Sequence, residues 1–262
     1  MPPTDANAGS NPAPVHAGAP VDPGPTGPRA DDAGSRDAPF NGFTVEGDEE
    51  DGEETLDLHL PADFLARFVG GTAYLLDQLS TWGPVATPAG SFHLVPVHLE
   101  QDVPLVHRWM NDPAVARFWE LAGPQSRTED HLRAQLEGDG RSVPCLGVLE
   151  GTPMSYWEIY RADLDPLARH YPARPHDTGI HLLVGGAADR GRGLGSILLR
   201  AVADLVLDRR PACARVVAEP DLHNTPSVAA FLSAGFRFAA EVDLPGKRAA
   251  LMIRDRVLRD VL

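Results

Sequence analysis

The chain has 262 residues, 43% of them hydrophobic, and a formal net charge of −14, so it can build one large core or two small ones. The charge is uneven: residues before Thr55 hold 12 of the 37 acidic side chains but only 2 of the 23 basic ones. The mildly acidic remainder carries no basic stripe and no apolar run of membrane-spanning length, so neither nucleic acid nor membrane is expected as a partner, and the location is expected to be cytoplasmic.

Residues 1–52 are rich in proline and glycine, have no aromatic side chain before Phe40 and run into the acidic stretch Glu46–Glu54. Such a segment buries too little apolar surface to offset its ordering entropy and is expected to be a disordered tail. Residues 53–90 read as an N-terminal extension. Alternation at Leu56, Leu58 and Leu60 predicts a strand, and Phe64, Phe68, Leu75 and Leu79 predict a helix interrupted at Gly70-Gly71. Residues 91–262 form the main domain. It opens with a strand at Ser91–Val97, followed by three helix starts: Asp102 before Val103-Pro104, Asp112-Pro113, and a capping-box pair of Ser126 with Glu129.

Val143–Glu150 and Met154–Arg161 flank Gly151-Thr152-Pro153 and predict a hairpin. Gly179–Gly185 reads as a strand, Ser196–Val206 as a helix, Ala214–Ala218 as a strand and Thr225–Ala234 as a helix. Phe236–Val242 and Arg248–Ile253 close the chain as a second hairpin. The class is α/β with several antiparallel neighbours. Cys145 and Cys213 lack metal-type spacing and are expected as buried free thiols.

Between the Gly179 strand and the Ser196 helix lies Arg190-Gly191-Arg192-Gly193-Leu194-Gly195, which fits R-x-x-G-x-G. Glycines let backbone N–H groups approach phosphate oxygens, and the helix N-terminus adds partial positive charge. A dinucleotide fingerprint would need glycine in place of Ser196, and a Walker loop would need Gly-Lys-Ser/Thr. The segment alone leaves a structural turn and a phosphate cradle both open.

The order of strand, glycine loop, helix, strand, then a helix opened by Asn224 and closed at Gly235-Phe236, resembles the GCN5-related N-acetyltransferase (GNAT) superfamily. The resemblance implies a GNAT fold: a mixed, mostly antiparallel sheet flanked by helices, with splayed central parallel strands at Gly179–Gly185 and Ala214–Ala218. It also implies acetyl-CoA or another acyl-CoA as co-substrate, and because the histidines and carboxylates form no close signature such as H-E-x-x-H, no metal is expected. By motif position the acyl-CoA contacts are Arg190, Gly191, Arg192, Gly193, Leu194, Gly195, Ser196 and Asn224. A backbone N–H at Leu183 or Val184 would polarise the thioester.

A narrower resemblance spans Phe92–Asp255. It rests on Trp109-Met110-Asn111-Asp112-Pro113, Phe118-Trp119, Tyr156-Trp157-Glu158, His176-Asp177, Gly179-Ile180-His181-Leu182-Leu183 and Glu219-Pro220-Asp221 with Asn224. Together these are similar to the siderophore-biosynthesis acyltransferases of the aerobactin N6-hydroxylysine acetyltransferase and mycobactin lysine N-acyltransferase type. That implies direct N-acylation of a lysine-, ornithine- or cadaverine-type side-chain amine, often N-hydroxylated, to give a hydroxamate. His181 would contact substrate or assist catalysis, and Glu219 would accept the proton, with Asp221 a second candidate. The mycobactin-type motif has aspartate at the position of Glu219. Trp119, Trp157 and Asp177 are expected toward the substrate. An aminoglycoside 6'-N-acetyltransferase and a non-catalytic acyl-CoA-binding module are the competing readings, and the expected assembly is a monomer or homodimer.

Overall fold

In the computed structural model of the chain, Leu76 and residues 78–259 are described, all inside one compact unit, Leu58–Leu262. The tail predicted for residues 1–52 and the strand predicted at 55–60 lie outside the described residues, as does nearly all of the helix predicted at 63–79. Leu79 itself sits in a single 3-10 turn, Leu79–Thr81.

Eight strands form one sheet in the order β1-β2-β3-β4-β5-β6-β8-β7. They are β1 (Val85–Thr87), β2 (Gly90–Pro96), β3 (Ser142–Leu149), β4 (Thr152–Arg161), β5 (Thr178–Val184), β6 (Arg215–Ala218), β7 (Arg237–Leu244) and β8 (Lys247–Asp255). Neighbours pair antiparallel except β5 with β6, which run parallel and register only at Thr178↔Val216 and Gly179↔Val217. Beyond Gly179 the two strands lose register, which opens a gap in the sheet.

Among the described residues five α-helices cover it: α1 (Leu99–Met110), α2 (Pro113–Trp119), α3 (Gln125–Leu136), α4 (Leu194–Arg209) and α5 (Thr225–Ser233). Asp112 caps α2 as its Asp-Pro signal predicts, accepting from the N–H of Ala114. The other two starts move upstream. Helix α1 begins at Leu99, not at Asp102, because the Asp102 carboxylate reaches back to the N–H of His98 and stabilises an earlier first turn. Pro104 then lies inside the helix. Helix α3 begins at Gln125 after Pro124, and Glu129 pairs with Arg133 one turn on instead of closing a capping box with Ser126. In the first hairpin the turn is Glu150-Gly151, both at positive φ, while Thr152 and Pro153 already belong to β4.

Among the described residues three buried clusters form the core, two of them on opposite sides of β4 and β5 and a third around Tyr160, Val217, Leu251 and Ile253. On one side Trp157, Ile159 and Ile180 pack with Leu198, Leu199 and Val202 of α4. On the other Tyr156 and Leu183 pack with Val106, Trp109 and Met110 of α1 and Leu132 of α3. Two-residue alternation along β4 and β5 therefore places Tyr156, Glu158, Tyr160, His181 and Leu183 on the α1–α3 side. Cys145 and Cys213 are buried free thiols. Among the described residues no helix is long and apolar enough to cross a membrane.

Candidate active site

The glycine loop leads into the N-terminus of α4. Gly191 and Gly193 adopt φ of +71° and +80°, the left-handed region that disfavours side chains bearing a Cβ. Gly193 is the residue before the helix, so the N–H groups of Leu194, Gly195 and Ser196 lie in the first turn, where a helix leaves its donors unused. A cleft of about 680 Å³ opens here, lined by Arg190, Gly191, Gly193, Gly195, Ser196 and, across it, Val184 and Asn224. The Leu194 side chain packs against the core beneath α4, so only its backbone is left to serve the loop.

Of the two arginines, Arg190 is turned inward. Its guanidinium donates to the carbonyls of Val184 (2.8 Å) and Gly185 (2.7 Å) and to Asp112 Oδ1 (3.0 Å). It staples the loop to the end of β5 and to the Asp112 cap of α2 while still lining the cleft. Arg192 is exposed. Asn224 caps α5, its side chain accepting from the N–H of Ser227, and it borders the cleft as well.

Backbone polarity along β5 follows from one bond. Gly185 N–H donates to Met154 O on β4, so by alternation the N–H of Leu183 also faces β4, and those of Leu182 and Val184 face the gap toward β6. Of the two expected oxyanion donors, Val184 is available. Leu183 is not, and Leu182, absent from the sequence expectation, also turns its N–H toward the gap.

At the gap the side chains converge. His181 Nε2–H donates to Glu219 Oε1 at 2.5 Å and Nδ1–H to Glu158 Oε2 at 2.8 Å. Tyr160 Oη–H donates to Glu219 Oε2 at 2.7 Å. Gly179 makes room for this: a Cβ there would lie 2.0–2.4 Å from the Tyr160 ring. Lys247 donates to the Glu219 carbonyl at 2.7 Å and stands 3.8 Å from its carboxylate.

The charges balance in a definite way. Burial works against the His181 cation, but the flanking carboxylates prevail and raise its pKa to about 10. Burial likewise works against ionised Glu219, yet His181 and then Lys247 hold it down at about 2. At neutral pH this is an imidazolium between two carboxylates. Both ring nitrogens are engaged, so His181 has none left for a substrate and acts on Glu219.

A smaller pocket of about 130 Å³ adjoins this cluster, lined by His181, Glu219, Asp221 and Lys247. It shares Trp119, Leu182 and Asn224 with the large cleft. Trp119 is half-buried and sets its edge against Tyr156 and His181, with ring centroids 5.5 and 6.1 Å apart. Asp221 borders the pocket but bonds to the N–H and ring of His223, apart from the His181 cluster. Two expected substrate residues do not reach the site. Trp157 is fully buried on the opposite face against Phe92, donating to Ser155. Asp177 is fully buried and anchors its loop through Arg215, Tyr171 and the N–H of Arg174. Glu158 and Tyr160 were missed. Only the Tyr156-Trp157-Glu158 run hinted at the former.

A helix N-terminus cradle beside two parallel strands that part, with an ionised carboxylate at the parting, defines an acyltransferase of the CoA-thioester class. Residues 98–244 match the acetyltransferase (GNAT) domain family, and the chain belongs to that family. It is 34% identical over 177 residues to lysine N-acyltransferase MbtK of Mycobacterium sp. (strain MCS), covering 68% of this chain and 72% of that protein. It is 38% identical over 149 residues to an Escherichia coli N(6)-hydroxylysine O-acetyltransferase, covering 57% and 47%. A solved Bacillus halodurans structure superposes with a TM-score of 0.64 at 32% identity, over 68% of this chain and 92% of that one. The aminoglycoside acetyltransferase AAC(6')-Ib with coenzyme A and kanamycin gives 0.59 at 22%, over 65% and 98%. That likeness is one of fold.

Proposed function

We propose that the chain is an acyl-CoA-dependent N-acyltransferase of siderophore assembly, acylating the N-hydroxylated side-chain amine of a lysine-, ornithine- or cadaverine-type acceptor by direct transfer. The observation that carries this reading is the Glu219 carboxylate, held by His181 and Tyr160 where the glycine-loop cleft meets the small pocket. The relatives' names support the acceptor class: they include lysine, N6-hydroxylysine and hydroxyornithine acyltransferases.

Acyl-CoA, when bound, supplies an activated thioester carbonyl. The N–H groups of Leu194, Gly195 and Ser196, with Arg192, would hold its pyrophosphate, and the N–H groups of Leu182 and Val184 would donate to the carbonyl oxygen as it gains charge. Glu219 accepts the proton of the attacking nitrogen. A weakly basic carboxylate suffices, because an N-hydroxylamine enters largely neutral and its nitrogen becomes acidic as it bonds to carbon. Trp119 walls the acceptor, and Asp221 with Lys247 gives the pocket polar groups of both signs.

The test is an acyl-CoA consumption assay with N6-hydroxylysine, N5-hydroxyornithine, N-hydroxycadaverine, free lysine and an aminoglycoside. Turnover of a hydroxylated amine is expected; turnover of the aminoglycoside alone overturns the reading. Glu219→Gln should lower kcat by about 10²–10⁴ with the KM for acyl-CoA unchanged, and unaltered kcat would remove Glu219 as the base.

A further inference from the structure

Behind His181, on the side away from Glu219, lies a polar cluster that the acyl-transfer chemistry does not itself require. Glu158 is 7% exposed and receives four donors. Its Oε1 accepts from His131 Nε2 (2.6 Å), Gln135 Nε2 (2.8 Å) and Tyr156 Oη (2.9 Å), and its Oε2 accepts from His181 Nδ1. Burying a carboxylate costs free energy unless its charge is met. Here it is met three times on one oxygen, which leaves the other for His181. Burial is outweighed by the two histidines, and the Glu158 pKa is driven far below the usual range.

The geometry points to Glu158 as a positioning residue for the acyl transfer proposed above: it fixes His181 as a doubly protonated ring, so that Nε2–H always faces Glu219. A neutral ring protonated only at Nδ1 would turn a bare Nε2 toward Glu219 Oε1, lone pair against lone pair, and would release the base from its place. Helix α3 belongs to the device, because His131 and Gln135 lie one turn apart and both reach Glu158. Ser142 in turn holds the Gln135 carbonyl at 2.8 Å, so that its NH₂ group is the end facing Glu158. A carboxylate that served packing alone would need no such ordering of its donors.

The groups that set His181's titration are Glu158 and Tyr160 from β4, Glu219 after β6 and Asp165 in the loop after β4. Lys247 of β8 acts through Glu219, and His131 of α3 through Glu158. Removing the Glu158 charge leaves Glu219 as the one carboxylate bonded to the ring, among the described residues.

The experiment is Glu158→Gln, which keeps the volume and loses the charge, read in two ways. NMR titration of the His181 ring in the free enzyme needs no substrate, so it is independent of whether the acceptor has been named correctly. The expected result is a His181 pKa lower by about one unit or more. With acetyl-CoA and N6-hydroxylysine, the alkaline limb of kcat should shift to lower pH along with His181, so that kcat measured on the wild-type limb falls about tenfold or more, while the acetyl-CoA KM stays within about twofold. An unmoved His181 pKa overturns the inference. So does a shifted pKa with unchanged kcat and pH profile, which would leave Glu158 a purely structural group. If Glu158→Gln does not fold, Glu158→Asp, which keeps the charge but shortens its reach, should move both readouts the same way by less, and no movement in either overturns the inference. If the wild-type enzyme turns over no hydroxylated amine, the acceptor assignment fails instead, while the titration still reports on Glu158.

Discussion

Gly179→Ala tests whether the site is built on the close approach of β5 to Tyr160. A Cβ at position 179 would lie 2.0 Å from Tyr160 Cζ and 2.3–2.4 Å from both Cε atoms, all within contact limits that no side chain tolerates. The ring is 5% exposed and its hydroxyl is committed to Glu219, so it cannot move without losing that bond. Overpacking costs about 1–3 kcal/mol and a lost hydrogen bond to a charged group about 1.5–3 kcal/mol. Together these predict a loss of roughly 3–5 kcal/mol, read as a fall of roughly 6–20 °C in the melting temperature of a domain this size. Activity should fall as well, since Glu219 would keep His181 but lose its second donor. Tyr160→Phe supplies the control. It deletes the hydroxyl and keeps the ring, so Gly179→Ala in that background should cost only the steric part, and the two effects should be less than additive. Unchanged melting and kcat in Gly179→Ala, or strict additivity in the double variant, would refute the reasoning.

Gly193→Val puts a β-branched side chain at φ +80°, a conformation such residues avoid. The loop should reshape and the affinity for CoA fall about tenfold or more while α4 stays folded; calorimetric titration with CoA checks this, and undiminished affinity would refute it. The stability profile follows from the linked pair. Glu219, depressed from 4.5 to about 2, contributes stability fully above pH 4.5 and loses it as pH falls through 2. His181, raised from 6.5 to about 10, contributes fully below pH 6.5 and loses it as pH rises through 10. Melting temperature should therefore decline between pH 6.5 and 10, and His181→Asn should flatten that decline. A variant with the same alkaline slope as the wild type would exclude His181 as its source.

Local features are legible in the order of residues alone. Asp-Pro at 112–113 and Asn224 act on amides within three residues, so their capping is legible without a fold. The glycine loop is legible for the same reason: positive φ at Gly191 and Gly193 is a property of each residue's own backbone. Strand and helix order followed from periodicity, although the starts of α1 and α3 shifted because Asp102 and Glu129 found partners one turn away.

What each side chain meets depends on the assembled fold. Alternation gives the parity of Trp157 and Glu158, not which of the two faces the site. That choice rests on which helices cover each face, and it buries Trp157 under α4 while setting Glu158 opposite His181. Arg190 turns to Asp112, 78 residues distant, and Asp177 to Arg215, 38 residues distant. Such partners depend on strand register and helix packing, which are cooperative properties of the whole domain and leave no mark in any short window of sequence.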